Sequence, residues 1–192
     1  MTQLPNTPMR VRLFAALAFA AIALICNAAA APAQEADPPA PTPKPVGSFK
    51  AWHAYTFEDK GRLMCYTQGE PTRSYSSAEV RGKAALMVIQ APDAAAKDQV
   101  SVVLGLGSQD WKPVGITIGA KPGRGKKFTL KKFAVGRAWA DADRLDKQMV
   151  DAMKRYDWLV VSAVTSKGAK VQDTYNLSGF SDAYGAAVKA CK

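Results

Sequence analysis

From Gly47 onward the chain is patterned mainly for strands. Phe49 to Phe57 carries Phe49, Trp52, Tyr55 and Phe57 in a strand-like mixture, and Leu63 to Gln68 forms a second segment. Ala84 to Gln90 is a nearly continuous apolar run, the mark of a strand buried on both faces. In Gln99 to Leu106, Val100, Val102 and Leu104 fall on one face. Gly115 to Gly119 and Lys127 to Phe133 flank a loop with Pro122, Gly123 and Gly125. That layout predicts a hairpin in which Ile116 and Ile118 face Phe128 and Leu130. Trp158 to Val164 and Gln172 to Ser178 predict a second hairpin around Lys167-Gly168.

Two stretches change to helical spacing. Leu145, Met149, Ala152 and Met153 line one face, with Tyr156 nearby; Asp141 is the expected cap, Asp143 sits in the first turn, and Lys154 and Arg155 sit in the last. Ala183, Ala187 and Cys191 recur every fourth residue beside Tyr184 and Val188, with Ser181 as the expected cap. Cys191 then lies on the inward face. Roughly seven strands and two helices predict a mostly β fold: an antiparallel sandwich or partly closed barrel with two short-to-medium helices, one at the C-terminus.

The first 46 residues follow other rules. Arg10 and Arg12 precede an apolar run from Leu13 to Ile25, and small residues then lead to Ala31-Pro32-Ala33. A basic start, a short apolar run and an Ala-x-Ala end predict a secretory signal peptide over residues 1–33. The run is too short to span a membrane, which needs about 20 residues. Ile25 before Cys26 does not suit lipidation, and Val11 separates the arginines that twin-arginine export needs adjacent. Pro38, Pro39, Pro41, Pro43 and Pro45 make residues 34–46 an extended spacer. One β-rich domain is expected over 47–192. The expected location is outside the cytoplasm, in the periplasm, at the envelope or secreted, with no transmembrane segment in the mature form.

Composition sharpens this picture. Removing residues 1–33 takes away two arginines and no acid, so a net charge of +10 becomes +8 on the mature chain. A basic excess favours anionic partners. Outside the cytoplasm these are lipopolysaccharide, phospholipid head groups, glycans or an acidic protein rather than nucleic acid. Of the three cysteines, Cys65 and Cys191 remain after processing. Two thiols in an oxidising compartment predict one disulfide, between Cys65 and Cys191. A metal or redox pair is disfavoured, because there is no Cys-x-x-Cys and His53 is the only histidine.

Asp173-Thr174-Tyr175-Asn176-Leu177-Ser178-Gly179-Phe180, followed by a short helix ending in Cys191, resembles the invasion-associated locus B family. The family's segment reads Thr-Tyr-Ser-Leu-Ser-Gly-Phe, and Asn176 stands where serine is usual. Upstream, Cys65-Tyr66 with Pro71, Arg81-Gly82, Ala138-Trp139 and Ser166-Lys167-Gly168 are similar to family features. The resemblance runs from about Trp52 to Cys191, and its C-terminal third is the specific part. It implies an exported, mostly β protein of alphaproteobacteria, linked in some pathogens to host-cell association. It brings no catalytic residues. The chain departs from the family at Arg155-Tyr156-Asp157, where Lys-Gly is common, and in a longer, more basic loop over Lys121 to Lys127.

Familiar catalytic patterns do not occur. One histidine limits acid–base chemistry, and His53 among aromatics reads as a packed residue. Gly105-Leu106-Gly107 is too short for a dinucleotide fingerprint, and there is no phosphate loop and no Gly-x-Ser-x-Gly elbow. Glu58-Asp59 reads as a turn, and Asp141 with Asp143 as a helix start. No cofactor or metal is expected. The segment with functional potential is Lys121 to Lys132, which holds Lys121, Arg124, Lys126, Lys127, Lys131 and Lys132 and no acid. Lys121, Arg124, Lys126 and Lys127 are the candidate anion-binding residues. The competing reading is a solvated hairpin whose charge discourages edge pairing. The expected function is a non-enzymatic envelope-associated or binding protein that contacts an anionic envelope component or a host-surface protein. The alternatives are an extracytoplasmic hydrolase without a recognisable motif and a structural envelope component.

Overall fold

Two antiparallel sheets and two helices make up a computed structural model that describes residues 42–78, 80–90, 98–106, 111–134 and 136–192. The expected signal peptide and spacer residues 34–41 lie outside these. The first sheet has seven strands: β1 (Lys44–Phe49), β2 (Trp52–Asp59), β3 (Arg62–Gly69), β5 (Ala85–Gln90), β6 (Gln99–Val103), β10 (Arg137–Trp139) and β9 (Lys132–Ala134), in that order across the sheet. The second has five, ordered β4 (Arg73–Ser76), β12 (Lys170–Asn176), β11 (Trp158–Val164), β7 (Val114–Lys121) and β8 (Arg124–Leu130). Helix α1 (Asp143–Met153) connects β10 to β11, and α2 (Phe180–Ala190) follows β12. The architecture is sandwich-like, with no closed barrel. None of the described helices is long and apolar enough to cross a membrane.

Period-two alternation gives the sandwich its interior. Leu86, Val88, Val100 and Val102 of the first sheet join Ile116, Ile118, Leu159, Val161, Val171 and Tyr175 of the second in one buried cluster. Strand β5 is buried on nearly every residue, as its continuous apolar run requires. The sequence pattern missed several strands for identifiable reasons. β9 and β10 are three residues long, and β4 is an exposed edge of Arg, Ser and Tyr. β1 begins at Lys44, so its first three residues fall within the stretch read as spacer. Its register against β2 slips between Pro45 and Gly47, where proline supplies no N–H for the ladder.

Both expected caps need correction. The residue capping α1 is Ala142, not Asp141, and no side chain bonds the first turn. Arg155, expected in the last turn, lies beyond the helix end, and Lys154 is the C-cap. α2 begins at Phe180, ahead of Ser181, and its N-cap is Gly179 at φ 92°. A β-carbon on Gly179 would sit 2.2 Å from the Phe49 carbonyl oxygen, so glycine is required by both conformation and contact. The early start brings Phe180 edge-on to Trp52, with ring centroids 4.9 Å apart. The Trp52 indole N–H donates to the Asn176 carbonyl at 2.9 Å, tying β2 to the end of β12.

One ion pair joins the two sheets. Asp173 is fully buried on the inner side of β12, between Val171 and Tyr175. Arg81, in the segment that crosses from β4 to β5, reaches it with a two-pronged contact: Nη1 donates to Oδ1 at 2.8 Å and Nη2 to Oδ2. The Ser74 hydroxyl also donates to Oδ1, at 2.8 Å. The Arg81 Nε–H donates to the Leu104 carbonyl at 2.9 Å, just past the end of β6, and the adjoining Gly82 N–H donates to the Gly105 carbonyl at 2.7 Å. Thus Arg81-Gly82 holds a first-sheet loop and a second-sheet strand at once. Burial raises the Tyr175 hydroxyl's pKa, and the Asp173 charge adds to the effect.

The predicted bridge is present: Cys65 of β3 is bonded to Cys191 at the end of α2. It lies in a small second core of Ala54, Cys65 and Ala187, where alanines let the helix approach the sheet closely.

Two outcomes follow from these attachments. Truncating Arg81 to Ala strands a buried carboxylate, and equilibrium unfolding should show a loss of about 3–5 kcal/mol. Asp173→Asn and Arg81→Lys should also destabilise, because neither rebuilds the fork. Cys191→Ser should lower stability by about 2–5 kcal/mol, with early loss of α2 protection in hydrogen exchange. Native protein whose two thiols alkylate freely would refute the bridge.

Candidate functional site

The hairpin of β7 and β8 begins as an ordinary core element and ends as a basic one. Val114, Ile116 and Ile118 are buried, and Val114 pairs with Leu130 and Ile116 with Phe128. The expected partner of Ile118 was also apolar, but Ile118 pairs with Lys126. Beyond that point the register shifts, and Lys121 pairs with Arg124 around Pro122-Gly123. Gly123 at φ 73° supplies the positive angle that a type II turn needs after proline. The shift depends on close backbone approach. A β-carbon on Gly119 would lie 1.8 Å from the Arg124 oxygen, and one on Gly125 2.0 Å from the Ile118 oxygen.

This geometry divides the four candidate residues into two pairs. Lys121 and Arg124 are exposed at the tip. Lys126 and Lys127 lie lower on β8, an open edge of the second sheet: Lys126 is on the face of Phe128 and Leu130, toward α1, and Lys127, opposite Thr117, is on the other face and only borders the cleft. Lys131 and Lys132 are exposed past the other end of β8.

Helix α1 forms the opposite wall. Its buried side carries Met149, Val150, Ala152 and Met153. Gln148, Asp151 and Arg155, spaced at three and four residues, turn toward β8. Together with Lys126, Lys127 and the half-buried Phe128 they line a cleft of about 480 Å³. Its one acid is already engaged, since the Lys147 ammonium donates to Asp151 Oδ2 at 2.9 Å. That hydrogen bond, helped by the charges of Lys147, Lys154 and Arg155, lowers the pKa of the Asp151 carboxyl. Lys126 and Arg155 therefore face a carboxylate that has its own lysine, with Lys127 at the strand edge. The arrangement favours an anion rather than a metal, and no cluster of metal-ligating side chains occurs among the described residues.

Two contacts fix the helix that makes this wall. The Lys154 ammonium lies 3.8 Å from the centre of the Tyr184 ring, which links α1 to α2. Buried Asp146 accepts the Val100 N–H at 2.9 Å, which anchors α1 to β6. Burial pushes the Asp146 carboxyl up to about 6, against the pull of the Val100 N–H, and Asp143 and Asp98 add to the rise.

The remaining polar candidates are used structurally. His53 Nδ1 is 2.9 Å from the Ser48 hydroxyl. Asp59 pairs with Arg62 at 3.8 Å across the β2–β3 turn. Asp143 lies in the first turn of α1. Asp98 accepts the Tyr184 hydroxyl at 2.9 Å. Charge density made the lysines visible in the sequence. Gln148, Asp151 and Arg155 were visible only as the polar side of a helix, because their meeting with β8 is made by the tertiary fold.

The family model described as "Invasion associated locus B (IalB) protein" matches residues 52–188, from the start of β2 into α2. Comparison with curated proteins and with solved structures found no match. The motif residues that resemble that family are largely occupied in holding the fold together. Arg81 and Asp173 form the buried pair, Gly179 and Phe180 dock α2 on Trp52, and Cys65 bonds Cys191.

The α1 anchor has a pH signature. The Asp146 carboxyl takes up its proton near 3.8 in the unfolded chain and near 6 in the fold. Between those values the fold holds a proton that the unfolded chain has lost, so this group's contribution to stability falls as pH rises toward 6. Asp146→Asn keeps an oxygen for the Val100 N–H and removes the charge. Its stability relative to wild type should be higher at pH 7.5 than at pH 4.5, by about 1–3 kcal/mol in urea unfolding. An equal difference at both pH values would show that burial does not perturb this carboxyl.

Proposed function

Because the chain belongs to the invasion-associated locus B family, we propose that it is an exported, non-enzymatic binding protein of the cell envelope. In this reading the basic β7–β8 hairpin and the adjoining cleft meet an anionic partner, either an envelope component or a host-surface molecule. The observation that carries it is the hairpin itself. Lys121, Arg124, Lys126 and Lys127 are exposed along one open strand and its turn, with no acid between Lys121 and Lys132. Exposed cations on a projecting edge attract anionic surfaces and suppress strand pairing with other chains, so one charge pattern serves both ends.

Export is supported by the sequence layout over residues 1–33 and by the Cys65–Cys191 disulfide, a bond that persists mainly in oxidising compartments. The non-enzymatic reading is supported by how the acid–base groups are spent. Asp173 is paired with Arg81, Asp146 with a backbone N–H, and Asp98 with Tyr184.

The test is co-sedimentation with phosphatidylcholine vesicles containing phosphatidylglycerol, alongside pull-down from envelope extracts. Wild type should bind, and binding should weaken steeply with added salt, because exposed charges are screened over about 8 Å at physiological ionic strength. Changing Lys121, Arg124, Lys126 and Lys127 together to Glu should reduce binding at least tenfold. The melting temperature should barely move, since exposed substitutions usually cost within about 0.5 kcal/mol each. Unchanged binding in that variant would assign the cluster to solubility and edge protection.

A further inference from the structure

We propose that the cleft between β8 and α1 is a binding site for a phosphate monoester carried on a sugar-sized group, with Arg155 and Lys126 around the phosphate and Phe128, Gln148 and Asp151 facing the sugar. The inference rests on the anionic-partner reading above and narrows it from a charged surface to a defined ligand.

Four features carry it. The first is size: about 480 Å³ falls in the range of small-ligand pockets, roughly 300–1,000 Å³, and holds one such unit. The second is charge. Lys126 from the strand, on the same face as Phe128, and an arginine from beyond the helix end meet across one space, and Lys127 borders it from the strand edge. The opposing carboxylate is bonded to Lys147, so the cleft keeps a surplus of positive charge. A phosphate monoester, with about −1.5 to −2 charges at neutral pH, matches that surplus better than a sulfate ester or a carboxylate. Arginine adds a planar fork suited to phosphate oxygens, and Lys126 acts as a point charge.

The third feature is the floor. Phe128 is half-buried and lines the cleft, offering an apolar surface to the C–H face of a sugar ring. The fourth is the polar rim. Gln148 has both donors and an acceptor, and Asp151 has acceptor oxygens, the complement that sugar hydroxyls need. The cleft and the hairpin tip are therefore separable. Lys121 and Arg124 attract anions at long range, while Lys126 and Arg155 hold one. The same chemistry occurs in a soluble sugar phosphate and in the phosphorylated sugar head group of an envelope lipid.

The experiment is calorimetric titration of the full mature chain with glucose 6-phosphate, glucose 6-sulfate and inorganic phosphate, plus vesicles bearing a phosphorylated glucosamine lipid. Glucose 6-phosphate should saturate a single site and bind more tightly than either of the other small anions. Arg155→Gln should weaken it at least tenfold, and Gln148→Ala about threefold. Lys121→Gln with Arg124→Gln, which removes only the long-range attraction, should weaken it much less than Arg155→Gln does. Asp151→Asn should tighten it, a gain that a damaged fold cannot produce. Equal binding of the sulfate ester, or a loss in the tip variant as large as in Arg155→Gln, would overturn the site in favour of diffuse charge. If glucose 6-phosphate does not bind but phosphatidylglycerol vesicles still bind in a hairpin-dependent way, the cleft assignment falls and the envelope reading stands. If neither binds, both fall. Binding of the sugar phosphate without the glycolipid vesicles identifies a soluble ligand, and binding of both identifies the envelope lipid.

Discussion

The Arg81–Asp173 pair is the constraint around which the two sheets are arranged. Asp173 stands on the inner side of β12, where its neighbours at alternate positions are Val171 and Tyr175, all buried. A charge there is tolerable only with a partner that meets both oxygens, and the guanidinium does so. Because the same side chain holds the Leu104 carbonyl, and Gly82 holds Gly105, the crossing from β4 to β5 is set at one distance from the end of β6. Apolar burial supplies the larger driving force, but it has no direction. The ion pair gives the sandwich a register that burial alone leaves free.

The basic edge follows from a second constraint, at the other side of the second sheet. The slip at Gly119 and Gly125 shifts the register by one residue, so that Lys126 stands opposite Ile118 and Phe128 opposite Ile116. Without that slip Lys126 would change face, and the cleft wall would be lost. Helix α1 has to stand opposite for the cleft to exist, and it is held there by Asp146 on β6 and by Lys154 over Tyr184. A carboxylate buried under α1 and a cation at its end thus position polar residues that belong to neither contact.

The legible parts of the sequence were those governed by short periods or by counting. A continuous apolar run marked β5, the hairpin layouts marked β7 and β11, and helical spacing put Ala183, Ala187 and Cys191 on one face. Two cysteines allowed one bond. The resemblance rested on residues now seen mainly in structural roles, so it pointed to the fold more than to a site. Capping was misread at Asp141 and Ser181 because local preference yielded to tertiary demands: Phe180 is drawn onto Trp52, and the chain must turn at Gly179 to allow it. Arg81 and Asp173 lie 92 residues apart, and no local pattern couples them. One signal was available, since the alternation that buries Val171 and Tyr175 also places Asp173 inward and so demands a partner. Arg155 gave no such signal. It joins Lys126 only because α1 packs beside β8.

The bond between Cys65 and Cys191 also imposes an order in time. Its two sulfurs are separated by 126 positions, and the chain is made from its N-terminus. At about 5–20 residues per second, Cys65 is synthesised on the order of ten seconds before its partner. Until α2 follows, Cys65 has no partner in the mature chain, and the small core of Ala54 and Cys65 lacks its helix. A chain interrupted between β12 and α2 carries every strand of both sheets, yet it has no means of being locked. The covalent tie therefore separates finished molecules from unfinished ones, leaving the latter with an uncovered apolar patch and a reactive sulfur by which proteases and thiol-handling enzymes can tell them apart.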